Sequence, residues 1–213
     1  MLSIVEDIRA IYRNDPACRN IEWLLYPGFR AIISHRLIHL LWRCHIPFIP
    51  RLLSEMNRFF NGLEIHPGAK IGPGFFVDHG MGVVIGETTE IGRNCVIFHN
   101  VTLGGTGKHH GKRHPTLGDN VYIGTGATLL GPITVGDNVL IGSNSFIVMC
   151  DAPSDTTVAG TPARIIKKDG LRCDEPLPRT KVLSKRTVPA EINNGNNQKS
   201  RKVAPVSGDK PAS

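Results

Sequence analysis

The sequence predicts a mainly β fold in which the chain winds into a parallel β-helix, and two periodic features support this. An aliphatic residue recurs every six residues between Leu63 and Val148, and no α-helix has a six-residue apolar period. A small residue, usually glycine, commonly follows it and suits tight corners, where φ is often positive and a side chain would collide. Repeats this short are typical of a solenoid of short strands with a narrow core. The aliphatic positions are Ile65, Ile71, Val77, Ile85, Ile91, Ile97, Leu103, Leu117, Ile123, Leu129, Val135, Ile141 and Ile147.

The repeat is interrupted twice, and each interruption predicts a loop that leaves the stack of coils. Two extra residues lie between Val77 and Ile85, around Asp78-His79-Gly80-Met81. Eight extra residues lie between Leu103 and Leu117, within the segment GGTGKHHGKRHPT. Loops that project from a repetitive scaffold commonly carry binding and chemistry, so we expect the functional residues there.

Residues 1–62 precede the repeats and show the apolar spacing of helices. We expect them to cover the open end of the first coil, because the end of a solenoid needs a cap. The domain organisation is then a helical segment (1–62), a β-helix (63–168) and a tail (169–213). The predicted helices cover about residues 2–12, 28–44 and 49–60, and Asn14-Asp15-Pro16 stops the first of them.

The net charge of +7 is concentrated in the tail. Residues 170–213 carry nine Lys or Arg and four Asp or Glu, which leaves +2 for the rest of the chain. That body lacks aromatic platforms for stacking bases, so nucleic acid is not an expected partner. The tail is rich in Pro, Asn, Ser and Lys, and we predict that it is disordered. It serves as a solubilising extension or as a docking segment for a partner.

Composition also bounds the cellular location and the role of the cysteines. No stretch of about 18 apolar residues free of charge is present, so no membrane-spanning helix is predicted. The chain has Glu6 and Asp7 where a signal peptide would be basic and then apolar, which predicts a cytoplasmic protein. The five cysteines are scattered and form no CxxC pair, which supports neither a zinc knuckle nor a disulfide framework.

His79 in the first insertion is a candidate general base, because histidine can take up a proton near neutral pH. His99 follows Ile97 as His79 follows Val77, three hexapeptides later, so the two rings are predicted to stack on neighbouring coils. This pair keeps a metal site open as an alternative. Catalytic zinc uses three protein ligands, and the third would come from His109, His110 or His114 of another subunit.

The long insertion has features of an anion-binding loop. Its glycine-rich run Gly104-Gly105-Thr106-Gly107-Lys108 allows a phosphate or pantetheine chain to approach the backbone closely. Arg113 offers a planar fork that suits a carboxylate. The run is not a P-loop, because it lacks the following helix with its Lys-Ser/Thr pair.

Several motifs in order resemble those of one enzyme family, the serine O-acetyltransferases, over about residues 12–168. The resemblance implies a left-handed parallel β-helix that forms trimers, with active sites in clefts between neighbouring subunits. It also implies transfer of an acetyl group from acetyl-CoA to the hydroxyl of L-serine, giving O-acetylserine for cysteine synthesis. The motifs are Glu64-Ile65-His66-Pro67, Val77-Asp78-His79, Gly86-Glu87-Thr88, the segment from Val101 to Lys108, Arg113-His114-Pro115 and Gly160-Thr161-Pro162-Ala163-Arg164.

The resemblance also implies roles for individual residues. His79 is the expected general base, and Glu64, at a position where many members have Asp, is expected to orient it. Asp15 and Asp78 are expected to bind the serine ammonium group, and Arg113 and His114 its carboxylate. The expected acetyl-CoA contacts are Gly105, Thr106, Gly126, Ser143 and Lys168. No metal is implied, and no cysteine or serine is placed as an acyl carrier, so direct transfer in a ternary complex is expected.

Two departures from the family bear on assembly. Only about 60 residues precede the repeats, so a homotrimer is expected rather than the hexamer that a longer helical domain builds. Many members end in an isoleucine that binds the partner O-acetylserine sulfhydrylase, whereas this chain ends Lys210-Pro211-Ala212-Ser213.

Three alternatives stay open on the sequence. The first is an acetyl-CoA-dependent enzyme for a sugar or drug hydroxyl, although Arg113 and the two acidic residues fit both charges of an amino-acid acceptor. The second is a metal enzyme resembling carbonic anhydrase, which stoichiometric zinc would reveal. The third is an assembly scaffold, which would need neither insertion.

Overall fold

The structure is a computed structural model that describes residues 2–107 and 111–181. Within these residues, three α-helices precede sixteen short strands. The helices are α1 (Leu2–Asn14), α2 (Pro27–Arg43) and α3 (Ile49–Asn61), with a 3-10 turn at Glu22–Leu25. Each predicted helix is confirmed, with its ends shifted by no more than two residues.

The strands form three sheets that serve as the faces of a triangular coil. Sheet A contains β1 (Glu64–Ile65), β4 (Val84–Ile85), β7 (Thr102–Gly104), β10 (Thr128–Leu130) and β13 (Phe146–Val148). Sheet B contains β2 (Lys70–Ile71), β5 (Glu90–Ile91), β8 (Thr116–Leu117) and β11 (Thr134–Val135). Sheet C contains β3 (Phe76–Val77), β6 (Val96–Ile97), β9 (Tyr122–Ile123), β12 (Leu140–Ile141), β14 (Thr156–Gly160), β15 (Ala163–Lys168) and β16 (Leu171–Pro176).

The predicted parallel β-helix is confirmed by the register of these strands. Ile65 pairs with Ile85, and Ile85 pairs with Leu103, so equivalent repeats stack without offset. These three side chains are buried and form one column of the core. Matching columns run through Ile71, Ile91, Leu117 and Val135 in sheet B and through Val77, Ile97, Ile123, Ile141 and Val158 in sheet C.

The glycines that follow the core residues are required by close packing rather than by their own φ angles. A Cβ on Gly72 would lie 2.3 Å from the carbonyl oxygen of Gly92, and one on Gly92 would lie 2.4 Å from that of Gly118. Positive φ occurs instead two residues further along, at Gly74 and Asn94. The predicted collision is therefore confirmed, whereas the predicted positive φ at these glycines is wrong.

Helix α2 supplies hydrogen bonds that a preceding coil would otherwise make. The ring of His39 donates from Nδ1 to the carbonyl of Pro67 at 2.8 Å, and that of His35 donates from Nε2 to the carbonyl of Ala69 at 3.0 Å. A carbonyl only accepts, which fixes both tautomers. From α3, Ser54 donates to the carbonyl of Ile65 at 2.7 Å. The open edge of the first coil is thus covered, as sheet edges generally must be.

Asp7 of α1 completes this cap through a buried ion pair with Arg36. The guanidinium donates to both carboxylate oxygens, at 2.8 and 2.9 Å. The N–H groups of Gly74 and Phe75 donate to Asp7 Oδ1 at 2.9 and 3.2 Å. Burial raises the pKa of the Asp7 carboxyl, and Arg36 offsets part of that rise. The pair joins α1, α2 and the first coil in one network.

The far end of the β-helix differs from the prediction. Residues from 169 onward are predicted as a disordered tail, but Leu171–Pro176 forms β16, which pairs antiparallel with β15. Thr180 then donates its N–H to the carbonyl of Met149 at 3.1 Å. The sheet continues because β15 and β16 form a hairpin, and the predicted tail boundary is too early. The remainder of the tail, residues 182–213, lies outside the described residues. None of the described helices is long and apolar enough to cross a membrane.

We predict that Asp7→Ala lowers the free energy of unfolding by about 3 kcal/mol or more, because it leaves a largely buried guanidinium without its partner. Urea denaturation measures this loss. The control is Glu6→Ala, since the partner of Glu6 among the described residues is Arg9 at the surface, and exposed pairs contribute about 0–1 kcal/mol. Equal losses in the two variants would contradict the proposed role of the buried pair.

Candidate active site

The predicted functional residues lie mainly on two edges of the triangular coil. We call the edge where sheet C turns into sheet A the His79 edge, formed by residues 78–83, 98–101, 124–127 and 142–145. We call the edge where sheet A turns into sheet B the Arg113 edge, formed by residues 66–69, 86–89, 105–107 and 111–115. Both insertions are confirmed as departures from the strands, and each belongs to a different edge.

His79 lies in the first insertion with a left-handed backbone, at φ 60°. Non-glycine residues in this region are uncommon, and such conformations cluster at functional sites. The side chain is 71% exposed, and its Nε2 lies 3.8 Å from Asp78 Oδ1, too far for a hydrogen bond. The ring packs edge-on against that of His99, with centroids 5.7 Å apart. The predicted stacking of the two histidines on neighbouring coils is confirmed.

Asp15 lies just beyond α1, and its carboxylate is held by two donors. The N–H of Ala17 donates to Oδ1 at 2.8 Å, and the hydroxyl of Tyr26 donates to Oδ2. Asp78 follows β3. Burial raises the pKa of Tyr122, and the negative charge of Asp78 raises it further. Tyr26 packs against the apolar cluster on the outer face of β3 and β6, so both carboxylates are associated with this face.

The predicted contact between Glu64 and His79 is not formed in the structure. Glu64 instead lies 3.3 Å from Arg58 Nη1 and 4.0 Å from Arg51 Nη2, both on α3. Two guanidinium groups attract the carboxylate more strongly than a neutral imidazole does. A role for Glu64 in orienting His79 stays a prediction, and it requires Glu64 to leave these arginines.

Arg113 and His114 lie on the Arg113 edge, and Thr88 anchors them there. The Thr88 hydroxyl accepts from the N–H groups of Arg113 and His114 at 3.0 and 3.1 Å. The Lys112 ammonium donates to the Thr88 carbonyl at 2.6 Å. The Arg113 guanidinium pairs with Glu87. One threonine thus sets the path of the chain where the long insertion rejoins the stack.

The hydrogen bonds of His114 fix its charge and tautomer. The Thr88 N–H donates to His114 Nδ1 at 3.1 Å, so Nδ1 accepts and the proton of the neutral ring is on Nε2. Burial lowers the pKa of His114, and the adjacent Arg113 lowers it further. His114 is therefore a neutral donor through Nε2. Gly86 is needed beside it, because a Cβ there would lie 2.1 Å from His114 Cδ2.

The positions predicted to contact acetyl-CoA are divided between the edges. Gly105 and Thr106 begin the long insertion on the Arg113 edge, whereas Gly126 and Ser143 lie above His79 on the His79 edge. The N–H of Gly126 donates to the carbonyl of His99 at 3.1 Å, which ties adjacent coils together along this edge. Lys168 is exposed at the end of β15, away from both edges.

The metal alternative receives no support from the described residues, which contain no cluster of three or more His, Cys, Asp or Glu with metal-binding geometry. His79 and His99 provide two rings, and zinc at a catalytic site uses three protein ligands. His109 and His110 lie outside the described residues.

Comparison with known proteins agrees with this architecture. Residues 114–148 match the family model described as bacterial transferase hexapeptide (six repeats). The stacked hexapeptides and this match together indicate a transferase of the hexapeptide-repeat class.

The particular family follows from individual relatives. Serine acetyltransferase from Helicobacter pylori is 54% identical over 172 residues, covering 79% of this chain and 99% of the relative. Two solved structures are each 41% identical and have 67% of their length covered. One is the Neisseria gonorrhoeae serine acetyltransferase in complex with serine (TM-score 0.73, 76% of this chain). The other is the Brucella abortus serine acetyltransferase in complex with coenzyme A (TM-score 0.75, 78% of this chain). The chain belongs to the serine acetyltransferase family and is an acyltransferase.

The residues that hold the site residues in place carry no signal in the sequence that assigns them this role. Thr88 and Glu87 belong to a family motif, but their contacts with the Arg113 segment depend on which coils are adjacent. No spacing in the sequence relates Tyr26 to Asp15. Arg58 lies on a helix whose orientation over β1 the sequence does not reveal.

Two neighbouring threonines offer a matched test of this anchoring. Thr88→Val removes a hydroxyl that serves several partners, and we expect a loss of about 1–3 kcal/mol in the free energy of unfolding. Thr89 is fully buried, and its hydroxyl has no hydrogen-bond partner among the described residues. Thr89→Val should therefore leave stability unchanged or raise it. Urea denaturation compares the two, and a larger loss for Thr89→Val would show that the anchoring is misassigned.

Proposed function

We propose that the chain transfers the acetyl group of acetyl-CoA to the hydroxyl of L-serine, with His79 as the general base. The observation that carries this proposal is the placement of His79, exposed in a left-handed turn beside Asp78. A serine hydroxyl is a weak nucleophile until a base removes its proton. An accessible imidazole at the first insertion of a chain of this family supplies such a base.

The reaction proceeds by direct transfer in a ternary complex. His79 takes the hydroxyl proton as the serine oxygen bonds to the thioester carbonyl carbon. The resulting tetrahedral oxyanion is stabilised by hydrogen-bond donors aimed at the developing charge. As the intermediate collapses, the carbon–sulfur bond breaks, and the CoA thiolate takes the proton from the His79 imidazolium. The products are O-acetylserine and CoA, and His79 is regenerated as a neutral base.

The two charges of serine are recognised by separate groups. Asp15 and Asp78 bind the ammonium group, because both are carboxylates near the His79 edge. Arg113 binds the carboxylate through its guanidinium, and His114 adds a neutral Nε2–H donor. Because the His114 ring is neutral, it donates a hydrogen bond to the carboxylate without adding a second buried positive charge beside Arg113.

The separation of the edges supports a homotrimer with shared sites. Within one coil, the His79 edge and the Arg113 edge are different corners of the triangle, with sheet A between them. One serine can contact both sets only if the Arg113 edge comes from a neighbouring copy. The acetyl-CoA positions follow this division, with Gly126 and Ser143 from one subunit and Gly105 and Thr106 from the other. Lys168 contacts the cofactor from the hairpin.

We place the enzyme in the cytoplasm, where acetyl-CoA and serine are available. A complex with O-acetylserine sulfhydrylase stays a prediction, because the terminal residues through Ser213 lie outside the described part of the chain.

We predict that His79→Ala lowers serine-dependent CoA release by roughly 100-fold or more, as loss of a general base does. His45→Ala is the control, because His45 is exposed in the connection between α2 and α3 and has no role in the proposed reaction. Nearly full activity in His79→Ala would remove His79 as the base. No serine-dependent release by the wild type would refute the proposed reaction and lead to a screen of other acceptors.

Mixed trimers test the sharing of sites between subunits. His79→Ala and Arg113→Ala should each be inactive alone, whereas co-expression should restore activity at roughly a quarter of the sites under random mixing. Restoration occurs because some sites receive an intact edge from each variant. Sedimentation of the same samples measures the trimeric mass. Inactive mixed trimers would show that both edges act within one subunit.

A further inference from the structure

Tyr26 holds a carboxylate for which we have proposed a role, although nothing in the sequence marks it. It lies at the residue that immediately precedes α2, and its side chain is partly buried. Its hydroxyl donates to Asp15 Oδ2 while the Ala17 N–H donates to Oδ1 at 2.8 Å. One donor thus fixes each oxygen of the carboxylate.

The segment that carries Tyr26 is pressed against the strand that leads to Asp78. A Cβ on Gly28 would lie 2.3 Å from the carbonyl oxygen of Val77, so only glycine permits this approach. The Tyr26 ring packs with the cluster that contains Phe76. The tyrosine is therefore held against the surface of β3. Through its hydrogen bond, it also holds the carboxylate of Asp15, which lies in the short connection after α1.

We propose that Tyr26 is a positioning residue that orients the Asp15 carboxylate toward the ammonium group of the amino-acid substrate. The proposal rests on the proposed function, because it deepens the role given there to Asp15. Tyr26 need not touch the substrate, since it acts through the carboxylate.

The chemistry of the pair suits this role. An ionised carboxylate has about four lone-pair directions, and the two donors occupy one on each oxygen. The remaining directions are then fixed in space and available to the N–H groups of an ammonium ion. The hydrogen bond to Asp15 raises the pKa of Tyr26, so the phenol keeps its proton and stays a donor throughout the working range of pH.

The chain provides a matched control in a second tyrosine of the same region. Tyr12 of α1 donates its hydroxyl to the backbone carbonyl of Asn20 rather than to a carboxylate. Tyr12→Phe and Tyr26→Phe therefore each remove one phenolic hydroxyl from the helical cap. Only Tyr26→Phe removes a contact to Asp15.

The experiment measures initial rates of CoA release with serine and acetyl-CoA varied separately. In Tyr26→Phe we expect KM for serine to rise about tenfold, as for loss of one hydrogen bond to a charged group. We expect kcat and KM for acetyl-CoA to stay within about twofold, because the base and the cofactor contacts are untouched. Tyr12→Phe should leave all three constants unchanged. In an Asp15→Asn background, Tyr26→Phe should add little, since two residues that act through one contact are not additive.

Each other outcome overturns the proposal in a recognisable way. An unchanged KM for serine in Tyr26→Phe, with Asp15→Asn impaired, would leave the proposed function intact and remove Tyr26 from it. A parallel fall in kcat and in affinity for both substrates, with a lower Tm than Tyr12→Phe, would indicate a structural role only. Full additivity with Asp15→Asn would show that Tyr26 does not act through Asp15. Lack of serine-dependent release by the wild type would refute the proposed function, and the role of Tyr26 with it.

Discussion

The structure depends on one constraint, which is that equivalent hexapeptides stack without offset. Ile65 lies under Ile85, and Val77 lies under Ile97. Each corner therefore recurs above the corner before it, one strand spacing of about 4.8 Å away. Residues twenty apart in sequence become neighbours, as His79 and His99 do. Where the period changes, the extra residues leave the stack at a fixed edge, which is how the two insertions come to lie at two different corners.

This constraint explains which parts of the fold the sequence predicts. A strict period identifies the aliphatic columns of the core, because their residue types repeat visibly in the sequence. It does not identify the second set of fully buried positions two residues earlier, which includes Leu63, Val83 and Val101. The same period locates both insertions and predicts that His79 stacks on His99. It does not reveal why the glycines are present. Gly72 follows a core residue and resembles a turn glycine. Glycine is required there because any side chain would collide with the backbone of the next coil, and the period does not reveal how close the two backbones lie.

The contacts of the helical cap are harder to predict from sequence, because they run between helices and the strands of the first coil. Apolar spacing predicts three helices, but His35, Arg36 and His39 appear in the sequence only as polar residues on α2. Their partners are carbonyls of the first coil, whose need for donors arises from the absence of a coil beneath them. The partners of Glu64 are also not predictable from sequence. Its position matches the family motif, whereas the arginines that it pairs with depend on how α3 crosses β1. The sequence does not predict strand β16, because its residues lack the hexapeptide period.

The proposed site illustrates how a repetitive scaffold can bind a substrate that carries both a positive and a negative charge. A narrow core leaves no interior room for charged groups, so recognition must use edges and the cap. The carboxylates proposed to bind the ammonium group lie where α1 meets sheet C, and the donors proposed to bind the carboxylate lie where the long insertion rejoins sheet B. Each group has its own fixed support, Tyr26 for Asp15 and Thr88 for His114. Because these supports are separate, the binding of each charge can be altered independently. Both sets of groups must still lie one serine apart, and in the proposed trimer the packing of neighbouring subunits sets that distance.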